Sequence, residues 1–258
     1  MRVTGLEGRT AFVTGAGGGI GAAVVRALHH QGARVVAVDV DGDAIEALRA
    51  ELGGGVQGGR LDVRDGEAVD AAVDAAERTV GPIDLGVNVA GVLATGLATD
   101  IDDATWRHVF SVNTDGVFHV SRALARRMIP RRRGAIVMVG SNAAGVPRHG
   151  MAAYAASKAA ATMFTRCLGL DLAEHGIRCN VVAPGSTLTA MQTGMWAGPS
   201  GEDTVIRGSL ETYKPGIPLR KLATPDDVAN AVVFLLSDEA GHITMADLYV
   251  DGGATLRG

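Results

Sequence analysis

The run Thr14-Gly15-Ala16-Gly17-Gly18-Gly19-Ile20-Gly21 decides the fold. It follows an apolar stretch, Arg9–Thr14, that reads as a strand, and it opens an alanine-rich stretch with helical periodicity. Glycines let the backbone leave a strand sharply and approach a pyrophosphate, whose charge is favoured at a helix N-terminus. A glycine-rich turn alone is weak evidence, so the surrounding pattern has to carry the rest.

That pattern is a repeated alternation. Short β-branched runs fall at Arg9–Thr14, Arg34–Val38, Val56–Leu61, Ile83–Val89, Ala135–Gly140, Arg178–Ala183 and Leu248–Val250, with helical stretches between them. Strands alternating with helices of this length read as βαβ units around a parallel sheet. The expected fold is therefore α/β, a Rossmann-like doubly wound parallel sheet of about seven strands flanked by helices, in one domain spanning residues 1–258. The longest helical stretch, Met151 to His175, stops at Gly176, a residue suited to terminating a helix. Residues 187–220 are rich in Gly, Thr, Met and Pro, lack a core period, and begin just beyond the sixth strand. A segment of that kind at the carboxyl edge of an open sheet is expected to be a substrate lid.

Composition removes several function classes. The formal net charge of −4 gives no basic footprint for nucleic acid. The cationic run Arg126, Arg127, Arg131, Arg132 and Arg133 reads as a solvated connection between helix and strand. Cys167 and Cys179 are the only cysteines and have no metal-ligand spacing to histidine, so no metal is expected and a reducing, cytoplasmic setting is. No apolar run approaches the ~20 residues of a membrane span, and the N-terminus has no secretion-type core. His29, His30, His108, His119 and His175 read as surface or packing residues.

The chemistry lies in a second cluster. Tyr154 and Lys158 are four residues apart, so on a helix they share a face, and Ser141 precedes them by thirteen residues at a strand end. An ammonium beside a phenol favours its phenolate, which suits Tyr154 to proton transfer. Such a pair arises by chance on many helices; its company with the glycine-rich turn and Ser141 makes it functional here. The dinucleotide reading adds Gly15, Gly17, Gly19, Ile20 and Gly21 at the turn, and Asp39 at the end of the second strand. A carboxylate there accepts hydrogen bonds from ribose hydroxyls and repels a ribose phosphate, and neither Ala16 nor Val40 supplies a cation, so NAD is expected over NADP. Asp62 and Val63 after the third strand, Asn88, Ala90 and Gly91 after the fourth, and Pro184, Gly185, Thr187 and Thr189 after the sixth complete the expected cofactor contacts.

Over essentially its whole length the chain resembles the short-chain dehydrogenase/reductase family. Thr14–Gly21 is similar to that family's TGxxxGxG turn, Asn88–Gly91 to its NNAG element with Val89 in place of alanine, and Tyr154–Lys158 to its YxxxK. The resemblance implies a catalytic set of Asn113, Ser141, Tyr154 and Lys158, with Asn113 holding a water that links Lys158 to solvent. A narrower likeness runs through Pro147–Met151, Pro184–Thr187, Met191-Gln192, Gly216–Leu219 and His242–Thr244. It points to the branch that oxidises a carboxylated cyclohexadiene diol to a catechol for siderophore assembly. That substrate needs a cation, for which Arg148 is the candidate, with Ser141, Met191 and Gln192 as further substrate contacts. An amino analogue such as dihydro-3-hydroxyanthranilate, or another secondary alcohol, would leave most of these motifs intact. A non-catalytic NAD-binding regulator would not need all four catalytic residues. The resemblance also implies a homotetramer joined through Met151–His175 and Leu248–Gly258.

Overall fold

The computed structural model describes residues 3–196 and 201–256; residues 197–200 of the expected lid and the last two of the expected C-terminal surface lie outside the described residues. Seven strands form one sheet: β1 (Thr10–Thr14), β2 (Arg34–Asp39), β3 (Val56–Arg60), β4 (Ile83–Asn88), β5 (Gly134–Val139), β6 (Ile177–Pro184) and β7 (Asp247–Val250). All pair in parallel, in the order β3-β2-β1-β4-β5-β6-β7. Every strand expected from the sequence is present. β1 and β4 are buried throughout, as strands covered on both faces must be, which explains their unbroken apolar reading.

The helices are α1 (Gly19–His30), α2 (Gly42–Leu52), α3 (Gly66–Thr79), α4 (Asp103–Phe110), α5 (Gly116–Arg131), α6 (Ala152–Leu172), α7 (Ala190–Thr193), α8 (Gly201–Arg207) and α9 (Pro225–Leu236). Two apolar layers hold them to the sheet. Val24 and Leu28 of α1, Ile45 and Leu48 of α2 and Val232 and Leu236 of α9 pack with Val13, Val35 and Val137 on one face. Val69 and Val73 of α3 and Val120, Leu124 and Met128 of α5 pack with Phe12, Val36 and Ile136 on the other. Alternate residues of each strand thus serve opposite layers. α6 runs on through a 3-10 turn to His175 and stops at Gly176, whose φ of 68° is the left-handed conformation glycine adopts freely.

Two expectations change. The cationic run is not merely solvated. Arg127 pairs with Asp70 and Asp74, Arg131 with Glu77, and Arg133 with Asp84, fastening α5 and the start of β5 to α3 and β4. Residues 187–220 are not structureless either: they carry α7, α8 and a bridge between Ser209 and Lys214. These elements are too short to leave a period in the sequence. Among the described residues no helix is long and apolar enough to cross a membrane.

Candidate active site

The chain winds outward from β1 to β3, then returns to lay β4 on the other side of β1, so a crevice opens at the carboxyl ends of β1 and β4. A cleft of about 750 Å³ occupies it and extends under residues 187–217. Thr14 ties the two strand ends together: its Oγ1 accepts from the N–H groups of Val89 (3.2 Å) and Ala90 (3.4 Å).

The glycine turn fits a dinucleotide on geometry of its own. A Cβ at Gly15 would lie 2.5 Å from Ala90 N, and one at Gly21 would lie 1.9 Å from Gly15 O, so neither position admits a side chain. The N-cap of α1 is Gly18, no side chain caps it, and the first turn holds no acid. Its N–H groups and positive dipole end are therefore available to a phosphate. Asp39 holds the turn in place, accepting from Gly17 N (2.9 Å) through Oδ2 and from Asp41 N (3.0 Å) through Oδ1.

Most of the expected cofactor residues line this cleft: Gly15, Gly19, Ile20 and Gly21, then Asp39, Asp62, Val63, Ala90 and Gly91, and Pro184, Gly185, Thr187 and Thr189. Two do not. Gly17 sits behind the turn, where a Cβ would come within 3.0 Å of the Asp39 carboxyl carbon. The Asn88 side chain points away from the cleft, buried and donating to Ser121 Oγ (2.9 Å), because the last residue of β4 faces α5. Asp62 reaches the cleft already paired with Arg64. Arg60, overlooked in the sequence, also lines the cleft; it sits beside Asp39 because β3 pairs with β2 in that register.

The catalytic candidates converge from three elements. Ser141 follows β5 and turns its Oγ onto Ala143 N (3.1 Å); Tyr154 and Lys158 project from the first turns of α6. All three line the cleft. Lys158 is buried, and its Nζ donates to Val139 O (3.1 Å) and lies 5.9 Å from the centre of the Tyr154 ring. Burial pulls the Lys158 ammonium down to about 8. Burial pushes the Tyr154 phenol above its usual value, and the Ser141 hydroxyl partly offsets that rise. In the free protein, then, desolvation outweighs the Ser141 hydrogen bond at the tyrosine.

Asn113 sits on a π-helical turn, Ser111–Asp115, between α4 and α5, and is fully buried. Its Nδ2 donates to Val92 O (2.9 Å) and Ser157 Oγ (3.0 Å), and its Oδ1 accepts from Val92 N (2.8 Å). Ser157 Oγ in turn donates to Tyr154 O (2.8 Å), so Asn113 braces the helix that carries Tyr154 and Lys158. A Cβ built on Gly91 would lie 3.2 Å from Lys158 Nζ and 3.3 Å from Asn113 Oδ1, so both atoms flank one small space.

Arg148, Met191 and Gln192 line the far end of the cleft with Met195, Val205 and Lys214. Burial lowers the Arg148 guanidinium, with Asp251 acting against that fall. Among the described residues no group of three or more His, Cys, Asp or Glu side chains is placed to hold a metal.

Comparison with known proteins agrees with this arrangement. A family model described as enoyl-(acyl carrier protein) reductase matches residues 15–255. The chain is 56% identical over 260 residues to a 2,3-dihydro-2,3-dihydroxybenzoate dehydrogenase of Bacillus subtilis, covering 99% of each. It is 41% identical over 250 residues to the enzyme of that name from Escherichia coli, covering 97% of this chain and 98% of that one. The crystal structure of gox2181 superposes with a TM-score of 0.89 at 35% identity, covering 97% of both chains. With the crevice, the glycine turn and the Ser-Tyr-Lys geometry in place, the conclusion follows: the chain belongs to the short-chain dehydrogenase/reductase family.

Proposed function

We propose that the protein catalyses the NAD-dependent oxidation of 2,3-dihydro-2,3-dihydroxybenzoate to 2,3-dihydroxybenzoate in catecholate siderophore biosynthesis. The observation that carries this reading is the full-length likeness to two dehydrogenases of that name in a chain whose cleft joins Ser141, Tyr154 and Lys158 to Arg148. When bound, NAD supplies the hydride acceptor. Gly15, Gly19 and Gly21 would hold its pyrophosphate against the α1 N-terminus, and the Asp39 carboxylate would accept from the adenosine ribose and disfavour a ribose phosphate. The residues after β6, Pro184 to Thr189, would bound the nicotinamide side.

Tyr154 as phenolate takes the proton of the substrate hydroxyl, and Ser141 hydrogen-bonds the same oxygen as its charge develops. With NAD and substrate bound, the Lys158 ammonium would favour that phenolate and hold the nicotinamide ribose, and the Asn113 Oδ1 has one acceptor position left for a water beside Lys158. Arg148 matches the ring carboxylate with two parallel hydrogen bonds, and Met191 and Gln192 border the ring. The dienone so formed tautomerises to a catechol, and aromatisation draws the reaction toward oxidation. The protein would work in the cytoplasm, and as a homotetramer; exposed Met163 and Leu170 on α6 and Leu256 near the C-terminus support the self-association.

The test is NADH formation from 2,3-dihydro-2,3-dihydroxybenzoate with NAD and separately with NADP, the product being identified by chromatography. NAD-dependent production of the catechol is expected, with kcat reduced about a thousandfold in Tyr154→Phe while NADH binding persists. No turnover from folded, NADH-binding wild type overturns the reading.

A further inference from the structure

The far end of the cleft contains a lysine that none of the site motifs includes. Lys214 lies on the segment after α8, and its backbone is clamped to Ser209 in both directions: Ser209 N donates to Lys214 O and Lys214 N donates to Ser209 O, each at 2.9 Å. The flanking backbone is unusual. Tyr213, immediately before it, is 88% exposed and has a φ of 55°, a left-handed conformation that costs a non-glycine residue on the order of 1 kcal/mol. On the other side Gly216 has a φ of 85°, and a Cβ there would lie 2.6 Å from Ile206 O. A strained residue and an obligatory glycine thus fix a turn that sends Tyr213 outward and Lys214 to the cleft wall.

Two cations meet there from unrelated elements. Arg148 comes from the loop before α6, Lys214 from the turn after α8, and both line the cleft half-buried. Among the described residues no hydrogen bond or ion pair reaches either side-chain charge. Asp251 acts on Arg148, but its carboxylate is already engaged with Gly253 N, Thr255 N and Thr255 Oγ1. Burial depresses the Lys214 ammonium, and Arg148 depresses it further by repulsion. Two half-buried like charges, offset only by Asp251 acting on Arg148, are unfavourable side by side and become favourable around an anion.

We propose that Lys214 is a second carboxylate-binding residue, which together with Arg148 grips the substrate's ring carboxylate and selects for carboxylated cyclohexadiene diols. This rests on the proposed function and adds to it the source of the acid specificity. Arg148 supplies a planar two-point contact, and Lys214 closes the other side of the anion as a point charge. Neither residue touches the reacting carbon in this arrangement, so Lys214 sets KM and leaves kcat nearly alone.

The experiment compares wild type, Lys214→Gln and Lys214→Arg on 2,3-dihydro-2,3-dihydroxybenzoate and on the corresponding diol lacking the carboxylate. Lys214→Gln is expected to raise KM for the acid about tenfold, the loss of one charge-assisted hydrogen bond, with kcat within about twofold. KM for the neutral diol should not move, and Lys214→Arg should recover most of the loss. A second readout needs no turnover: the NADH-bound proteins are titrated with 2,3-dihydroxybenzoate and with catechol. Wild type should hold the acid more tightly, and Lys214→Gln should remove most of that preference. An equal change on both substrates, or an unchanged preference for the acid, overturns the role of Lys214. Wild type that fails to oxidise the diol acid yet still discriminates between acid and catechol overturns the proposed reaction and leaves the carboxylate site standing.

Discussion

At the residue scale the energetic tension of the site is in Lys158. A lysine held down to about 8 from a usual 10.5 is a charge that the fold disfavours. Between those values the unfolded chain keeps a proton that the folded chain has released, so the stability of the free protein rises with pH from about 8 toward 10. Two groups oppose this, because the folded chain retains a proton that the unfolded one gives up: the Cys179 thiol, which burial pushes up to about 12, acts from about 9, and the Tyr154 phenol acts from about 10. Denaturant unfolding at several pH values should show a gain on the order of 1 kcal/mol between about pH 8 and 9 in wild type, absent in Lys158→Met, whose stability should fall above about 9. Coenzyme choice is a second residue-scale question. Asp39 faces the cleft with Arg60 beside it, so Asp39→Ala leaves that cation unopposed and should lower the NAD-over-NADP ratio of kcat/KM at least tenfold, about 1.4 kcal/mol. That Tyr154, Lys158, Ser141 and Arg148 would line one cleft was legible because short spacings or strand ends carried them. Arg60 and Lys214 were not: one reaches the site through strand register, the other through a turn 56 residues beyond Lys158 that forms no motif, and neither leaves a local signal. Asn88 misled for the opposite reason, since its place at a strand end says nothing about which face its side chain takes.

At the element scale the strands and the long helices could be read because burial on both faces, or on one stripe, writes a period into the sequence. α7, α8 and the π-helical turn wrote none. α9 shows how locally a boundary can be specified. Thr224 Oγ1 accepts from Asp227 N (3.2 Å) while Asp227 Oδ2 accepts from Thr224 N (2.8 Å), and Pro225 occupies the first position. Replacing Thr224 with Ala should cost about 1 kcal/mol of unfolding free energy, measured by denaturant unfolding. The glycine turn has no such tolerance. Gly21→Ala would place a methyl group 1.9 Å from Gly15 O, separating α1 from the strand that precedes it.

At the scale of the whole molecule, two apolar layers close the sheet, yet large side chains remain outside them. Phe118 on α5, Met163 and Leu170 on α6 and Leu256 near the C-terminus stay exposed, with the Phe118 ring edge-on to Phe164. On the proposed homotetramer, light scattering of the wild type should report four copies of the chain. Glutamate at both Met163 and Leu170 should shift that mass downward, whereas an unchanged mass would place the subunit contacts on other surfaces. One feature of the fold makes chain length itself a determinant of activity. From Asp103 to Arg131 the backbone is one continuous spiral, widened over Ser111–Asp115, and Asn113 sits in the widened part. Removing any one of the other four residues from that turn would restore a regular spiral, and each residue of a regular spiral is worth about 100° of rotation. The amide of Asn113 would swing away from Val92 and Ser157 although its own identity was untouched. Substitutions here change a contact; a deletion changes the angle at which the whole brace of α6 is set, a kind of damage that no compensating side chain can repair.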